Sequence, residues 1–176
     1  MQSYNKMSKV KKMVLLALLI SMALVLSYFE RFIPLPIAFP GVKLGLANAI
    51  TLTALYFFNF RDTFTLVFLR VILNAIFVAN MMSFWYSLSG GLLSLLIMFV
   101  LIKILGDRIS VIGVSVAGAF FHNVGQLLVV AFVTKSVAIA LTYLPILSIA
   151  GVISGIMIGV LVKLLMPYLR KNVFVR

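Results

Sequence analysis

Cysteine is absent from the chain, which excludes disulfides, thiol catalysis and cysteine-ligated metal centres. Acidic residues are nearly absent too: Glu30, Asp62 and Asp107 are the only three in 176 residues. Enzymes that hold Mg²⁺ against a diphosphate do so with clustered carboxylates, and three scattered acids cannot supply a cluster. The single histidine, His122, has no companions of metal-ligand type, whereas zinc needs three or four ligands. There is no Gly-Lys-Ser/Thr phosphate loop, so the chain cannot itself hydrolyse ATP as the motor of a pump. A Ser–His–acid set is also missing. These gaps point away from an enzyme and imply neither a metal nor a cofactor.

What the sequence has in abundance is apolar surface. Hydrophobic residues make up 64% of the chain, charged residues 10%, and the mean hydropathy is +1.25. A soluble domain needs roughly 25% charged residues to cover itself. This chain therefore needs membrane lipid as its solvent. Fifteen basic residues give a net charge of +12, a balance that in a soluble protein would suggest a nucleic-acid partner. Here the basic residues sit mainly in the tails and in short gaps between apolar runs, where they meet headgroups and set orientation. No nucleic acid is expected.

The apolar runs predict an all-α membrane protein, a bundle of six transmembrane helices in one domain over residues 13–170, flanked by basic tails at 1–12 and 171–176. The expected spans are Met13–Phe29, Leu44–Phe60, Phe64–Ala79, Leu88–Leu105, Val111–Val133 and Ile146–Leu165, each close to the ~20 residues that cross a bilayer. Helices are required because backbone polar groups find no water there. Glu30 to Gly41 is expected as a loop, since Pro34, Pro36 and Pro40 favour extended backbone. Asn80 to Tyr86 is expected as a second loop, with Trp85 and Tyr86 at the interface. With the N-terminus inside, the inner segments hold Lys6, Lys9, Lys11, Lys12, Arg61, Lys103, Arg108, Lys163, Arg170, Lys171 and Arg176. The outer ones hold only Arg31, Lys43 and Lys135. That bias places both termini in the cytoplasm.

A few polar residues fall at membrane depth. His122, Asn123 and Gln126 share a sector of the fifth span, and three such groups belong inside the bundle, either as a knot between helices or as a ligand site. Arg70 and Asn74 lie one turn apart on the third span with no acid evidently at their depth. Arg70 either snorkels to the headgroups or is a counter-charge for an anionic ligand. Lys43 and Asn48 flank the start of the second span, beside Gly41 and Gly45, where free helix N–H groups favour anions. Trp85 is a belt residue or part of the same outer-facing mouth. Small residues mark close helix approach: Gly151, Gly155 and Gly159 on the sixth span, Gly113 and Ala117 on the fifth, and the pairs Ala17/Ser21 and Ala23/Ser27 on the first. They serve either packing within the bundle or, most plausibly on the first helix, docking of a partner subunit.

Three stretches, Pro40-Gly41-Val42-Lys43-Leu44-Gly45-Leu46-Ala47-Asn48, Ser87-Leu88-Ser89-Gly90-Gly91-Leu92-Leu93-Ser94, and Gly113 to Ala119 continuing through His122-Asn123-Val124-Gly125-Gln126-Leu127, resemble the Gx transporter family. That family also carries the label heptaprenyl diphosphate synthase component I. It is similar in turn to the substrate-binding S subunits of energy-coupling factor transporters, six-helix proteins that capture vitamins beside a separate ATPase module. The resemblance implies a similar fold and a small-molecule substrate. It also implies a transmembrane coupling subunit with ATPase subunits as partner, docked at Ala17 and Ser21. Two functions stay open: a substrate-binding subunit using Lys43, Asn48, Arg70, Asn74, Trp85, His122, Asn123 and Gln126, or a non-catalytic accessory subunit in prenyl-quinone metabolism or membrane electron transfer.

Overall fold

The computed structural model describes residues 7–32, 43, 45–78 and 81–171. Most of the proline-rich segment, the outermost parts of both basic tails and Asn80 lie outside the described residues. Within them the protein is all helical: α1 (Lys9–Phe29), α2 (Asn48–Phe57), α3 (Phe60–Val78), α4 (Met81–Leu105), α5 (Val111–Thr134) and α6 (Val137–Leu169). Short 3₁₀ turns at Glu30–Phe32 and Gly106–Arg108 extend α1 and α4.

Local chemistry sets the boundaries. Serines cap three helix starts, with Ser8, Ser110 and Ser136 accepting from the N–H groups of Lys11, Gly113 and Ile139, which satisfies donors the helix itself leaves open. Lys135, in the left-handed region at φ 51°, ends α5 and turns the chain directly into α6.

Among the described residues four helices, α1, α4, α5 and α6, are long and apolar enough to cross a membrane. The other two expected spans, in α2 and α3, do not meet that measure of length and composition. α3 has 19 residues, about 28 Å at 1.5 Å per residue, but carries Arg61, Asp62 and Arg70. α2 has only 10 residues, about 15 Å or half a hydrocarbon core. Its expected first turn from Leu44 is broken because Gly45 stands at φ +86°, a conformation that costs glycine little. Two other expectations shift as well. α4 begins at Met81 rather than Leu88, since nothing between Met81 and Ser87 breaks a helix. α6 runs unbroken for 33 residues with Pro145 inside it, where a separate lead-in was expected.

The small-residue stripes explain the packing. A Cβ on Gly155 would stand 2.7 Å from Val116 Cα, and one on Gly159 would stand 2.6 Å from Ile112 Cα. On α4, Gly90 meets the His122 carbonyl in the same way, and Gly125 of α5 meets the Ser89 carbonyl. α4, α5 and α6 thus form an antiparallel sheaf at backbone contact. The α6 glycines serve the inside of the bundle.

α1 is peripheral and packs on α2 and α3. At one end of the bundle Lys12 Nζ meets Asp62 Oδ1 at 2.7 Å, which sets the starts of α1 and α3 side by side. The two small pairs of α1 separate: Ala23 and Ser27 are buried, whereas Ala17 and Ser21 lie on the exposed face. Large apolar side chains such as Met13, Leu18, Phe77, Phe132, Met157 and Leu164 are exposed around the bundle. So much apolar surface is the signature of a lipid-facing wall.

Candidate functional site

A pocket opens inside the bundle where α1, α3, α4, α5 and the approach to α2 converge, lined by Ser27, Glu30, Lys43, Gly45, Ala47, Arg70, Val71, Asn74, Ser87 and His122. As packed it has room for about one water molecule. All three stretches that carry the family resemblance contribute to it, through Lys43, Ser87 and His122.

Glu30 organises the pocket. Its Oε1 accepts from the Gly45 N–H and, at 3.2 Å, from the Leu46 N–H, the open donors just ahead of α2. The carboxylate is 4% exposed, and both Lys43 and Arg70 lie within electrostatic reach of it. This corrects the expectation that Arg70 lacks an acid at its depth. Arg70 is itself 4% exposed and does not snorkel. Room for its guanidinium exists because position 91 is glycine; a Cβ there would stand 3.1 Å from Arg70 Nη2. Asn74, one turn on, lines the same wall.

The polar sector of α5 divides its labour. Gln126 accepts from the Lys43 N–H at 2.7 Å and donates to the Lys43 carbonyl at 2.7 Å, fixing the chain where it approaches α2. Asn123 donates to the Leu147 carbonyl of α6 at 2.7 Å, in space left by Gly151. These two form a knot between elements. His122 is different: its ring lies between Gly45 and Gly90, each of which would place a Cβ within 3.0 Å of ring atoms. The Gly90 carbonyl approaches the ring, yet Nδ1 is buried without a hydrogen-bond partner. Asn48 sits beside Gly45, 2% exposed, with neither amide atom partnered. Buried polar atoms are nearly always paired, so two orphans side by side mark a place built for something else. Lys43 Nζ reaches Ser87 Oγ at 3.4 Å across the mouth.

Of the expected site residues, Lys43, Arg70, Asn74 and His122 line the pocket, and Asn48 adjoins it. Trp85 does not: its side chain is half exposed on the outside of α4, the position of a belt residue. Sequence reasoning missed Glu30 and Ser27. A signal was present, because Ala23, Ser27 and Glu30 recur at helical spacing on one face of α1.

The sequence profile of the family described as heptaprenyl diphosphate synthase component I matches residues 19–165. The chain belongs to this family. Its match covers most of the chain and every described residue of the pocket wall. No curated protein and no solved structure matches.

Proposed function

We propose that this family member is the substrate-binding membrane subunit of a small-molecule transporter, energised by a separate module. The observation that carries the reading is the pocket. Three ionisable side chains and a histidine whose Nδ1 has no partner are held away from water inside a bundle whose exterior is apolar. Charged groups at membrane depth are expensive, and where they occur they mark ligand or ion pathways. A purely structural bundle gains nothing from Glu30, Lys43 and Arg70, because apolar residues of similar volume pack as well or better.

In this reading the end bearing Lys9, Lys12, Arg61, Lys103, Arg108 and Lys163 faces the cytoplasm, as do both termini, in a cell membrane. The pocket then opens toward the other side through the Lys43–Ser87 contact. The outward face of α1, with Ala17 and Ser21, docks the coupling subunit. The test is native mass spectrometry of the protein extracted gently from membranes. A small molecule that leaves with Arg70→Gln but stays with Trp85→Phe is expected. A protein that carries nothing, and is not stabilised by any vitamin or prenyl compound, contradicts it.

A second reading rests on the family description, which names a component of a synthase, and on the exposed small-residue face of α1. There the chain is a non-catalytic accessory subunit in prenyl-quinone metabolism or membrane electron transfer. Bulky residues at Ala17 and Ser21 then abolish function, while Leu at His122 spares it.

A further inference from the structure

The polar side chains around the pocket are not equally engaged. Glu30 is committed to the N–H groups of Gly45 and Leu46, and Gln126 to both backbone polar groups of Lys43. Open hydrogen-bonding capacity lies instead at the start of α2, just past Gly45. Asn48 is 2% exposed, and neither its Oδ1 nor its Nδ2 has a partner among the described residues. Thr51 follows one turn on, a neighbour on the helix surface, wholly buried and with its Oγ1 also unpartnered. The chain has a way to satisfy such hydroxyls. Thr53 of the same helix donates to the Ala49 carbonyl at 2.8 Å, and Thr134 and Ser148 donate likewise to Val130 and Leu144. The Ala47 carbonyl that Thr51 would use already accepts from the Ile50 and Thr51 N–H groups. An unpaired buried amide is costly, and an apolar side chain at position 48 would avoid that cost.

We infer that the pocket extends past Gly45 onto α2, where Asn48 and Thr51 bind an uncharged donor–acceptor edge of the ligand: an amide, a lactam, or a ring nitrogen beside an amino group. The inference rests on the ligand-binding reading above and deepens it. Asn48 sets a carbonyl acceptor and an N–H donor side by side. The group that meets both at once carries the same pair in the opposite order, as when asparagine reads adenine. A ketone or an ionised carboxylate, being acceptors only, meets just the N–H half. Thr51 adds a third bond as donor or acceptor. The opposite wall is preset. A Cβ on Gly45 would stand 2.9 Å from Asn48 Nδ2 and 3.0 Å from His122 Cδ2, so the amide and the imidazole close on one point that glycine leaves open. On its other side the imidazole abuts Gly90, where a Cβ would stand 2.9 Å from Nδ1 and Cε1, which holds the ring in place. Gly45, Ala47 and His122 line the pocket itself, so this edge is continuous with it. Admission of more than a water requires the Gly45 turn to move away from His122.

The test uses the full chain in lipid nanodiscs with three small ring probes at matched concentration. The lactam pyrrolidinone carries the donor–acceptor edge, whereas butyrolactone and cyclopentanone carry the acceptor alone. Saturation-transfer NMR and thermal unfolding are the readouts. For the unaltered protein the lactam is expected to show transfer and to raise the unfolding midpoint above that with the lactone or the ketone. Asn48→Leu should abolish this preference. Thr51→Val, nearly the same shape, should unfold at an equal or higher midpoint without probe, since it removes an unpaired hydroxyl. It should also weaken the lactam roughly three- to ten-fold, the loss of one neutral hydrogen bond. A lactam no better than the ketone, or lactam affinity unchanged in Thr51→Val, overturns the inference whether or not Asn48→Leu folds. A co-purified molecule that lacks a donor–acceptor edge also overturns it while leaving the transport reading intact. A protein that neither prefers the lactam nor carries a co-purified molecule removes both.

Discussion

Glu30 and Arg70 form the strongest internal test of the pocket, because each is buried and each sits in the other's field. Removing Arg70 as Arg70→Gln leaves the carboxylate with Lys43 and two backbone N–H groups. Removing Glu30 as Glu30→Gln takes away the carboxylate that acts on both Lys43 and Arg70. Opposite unit charges about 6 Å apart at an effective dielectric near 20 attract by about 3 kcal/mol. That agrees with the roughly 3–5 kcal/mol lost when one partner of a buried pair is removed. Glu30→Gln should be the worse of the two, since the Gly45 and Leu46 donors also lose a charged acceptor. The double variant removes both charges together and should cost about 2–3 kcal/mol less than the sum of the singles. The assay is reversible unfolding by dodecyl sulfate in mixed micelles, run as a complete double-mutant cycle. Additivity within about 0.5 kcal/mol would show that the two groups do not share one pocket.

Other perturbations test the frame around the site. Gln126→Leu orphans both the N–H and the carbonyl of Lys43 and should cost roughly 2–5 kcal/mol, read by thermal unfolding. Gly155→Leu forces a side chain into the Val116 backbone and should lower the yield of folded, monodisperse protein on size exclusion, whereas Ile153→Leu, two residues away on the exposed face of the same helix, should not. Ala17→Trp with Ser21→Phe should leave the unfolding midpoint unchanged within a degree or two, because both positions face outward. On the partner-docking reading the same pair abolishes co-purification of other subunits. Trp85→Phe should leave ligand occupancy unchanged in native mass spectra.

Much of this architecture is legible from residue pattern alone. The apolar runs give the helical membrane character because lipid leaves no alternative, and the Gly151/Gly155/Gly159 spacing marks the α5–α6 contact that the structure closes at backbone distance. The inward turn of His122, Asn123 and Gln126 follows from their shared sector. What the pattern hides is long-range. Leu44–Phe60 reads as a span because its residues are apolar, while the positive φ at Gly45 and the grips of Glu30 and Gln126 come from elements 15 and 83 residues away in sequence. Glu30 itself reads as a membrane-edge charge, since its position next to a loop gives no hint that its side chain turns back into the bundle. The split between Gln126 and Asn123 as ties and His122 as a ring with an open Nδ1 depends on neighbours contributed by α4, α6 and the Lys43 segment. No periodicity encodes that.

Glu30 is the only glutamate in the chain, so its carboxyl carbon can be observed without assignment by solid-state NMR of glutamate-¹³C, glycine-¹⁵N protein in lipid bilayers. Strong dephasing of that carbon by a glycine nitrogen is expected, reporting its hydrogen bond to the Gly45 N–H. A carboxyl signal that glycine nitrogen leaves untouched would place Glu30 among the headgroups and dissolve the pocket.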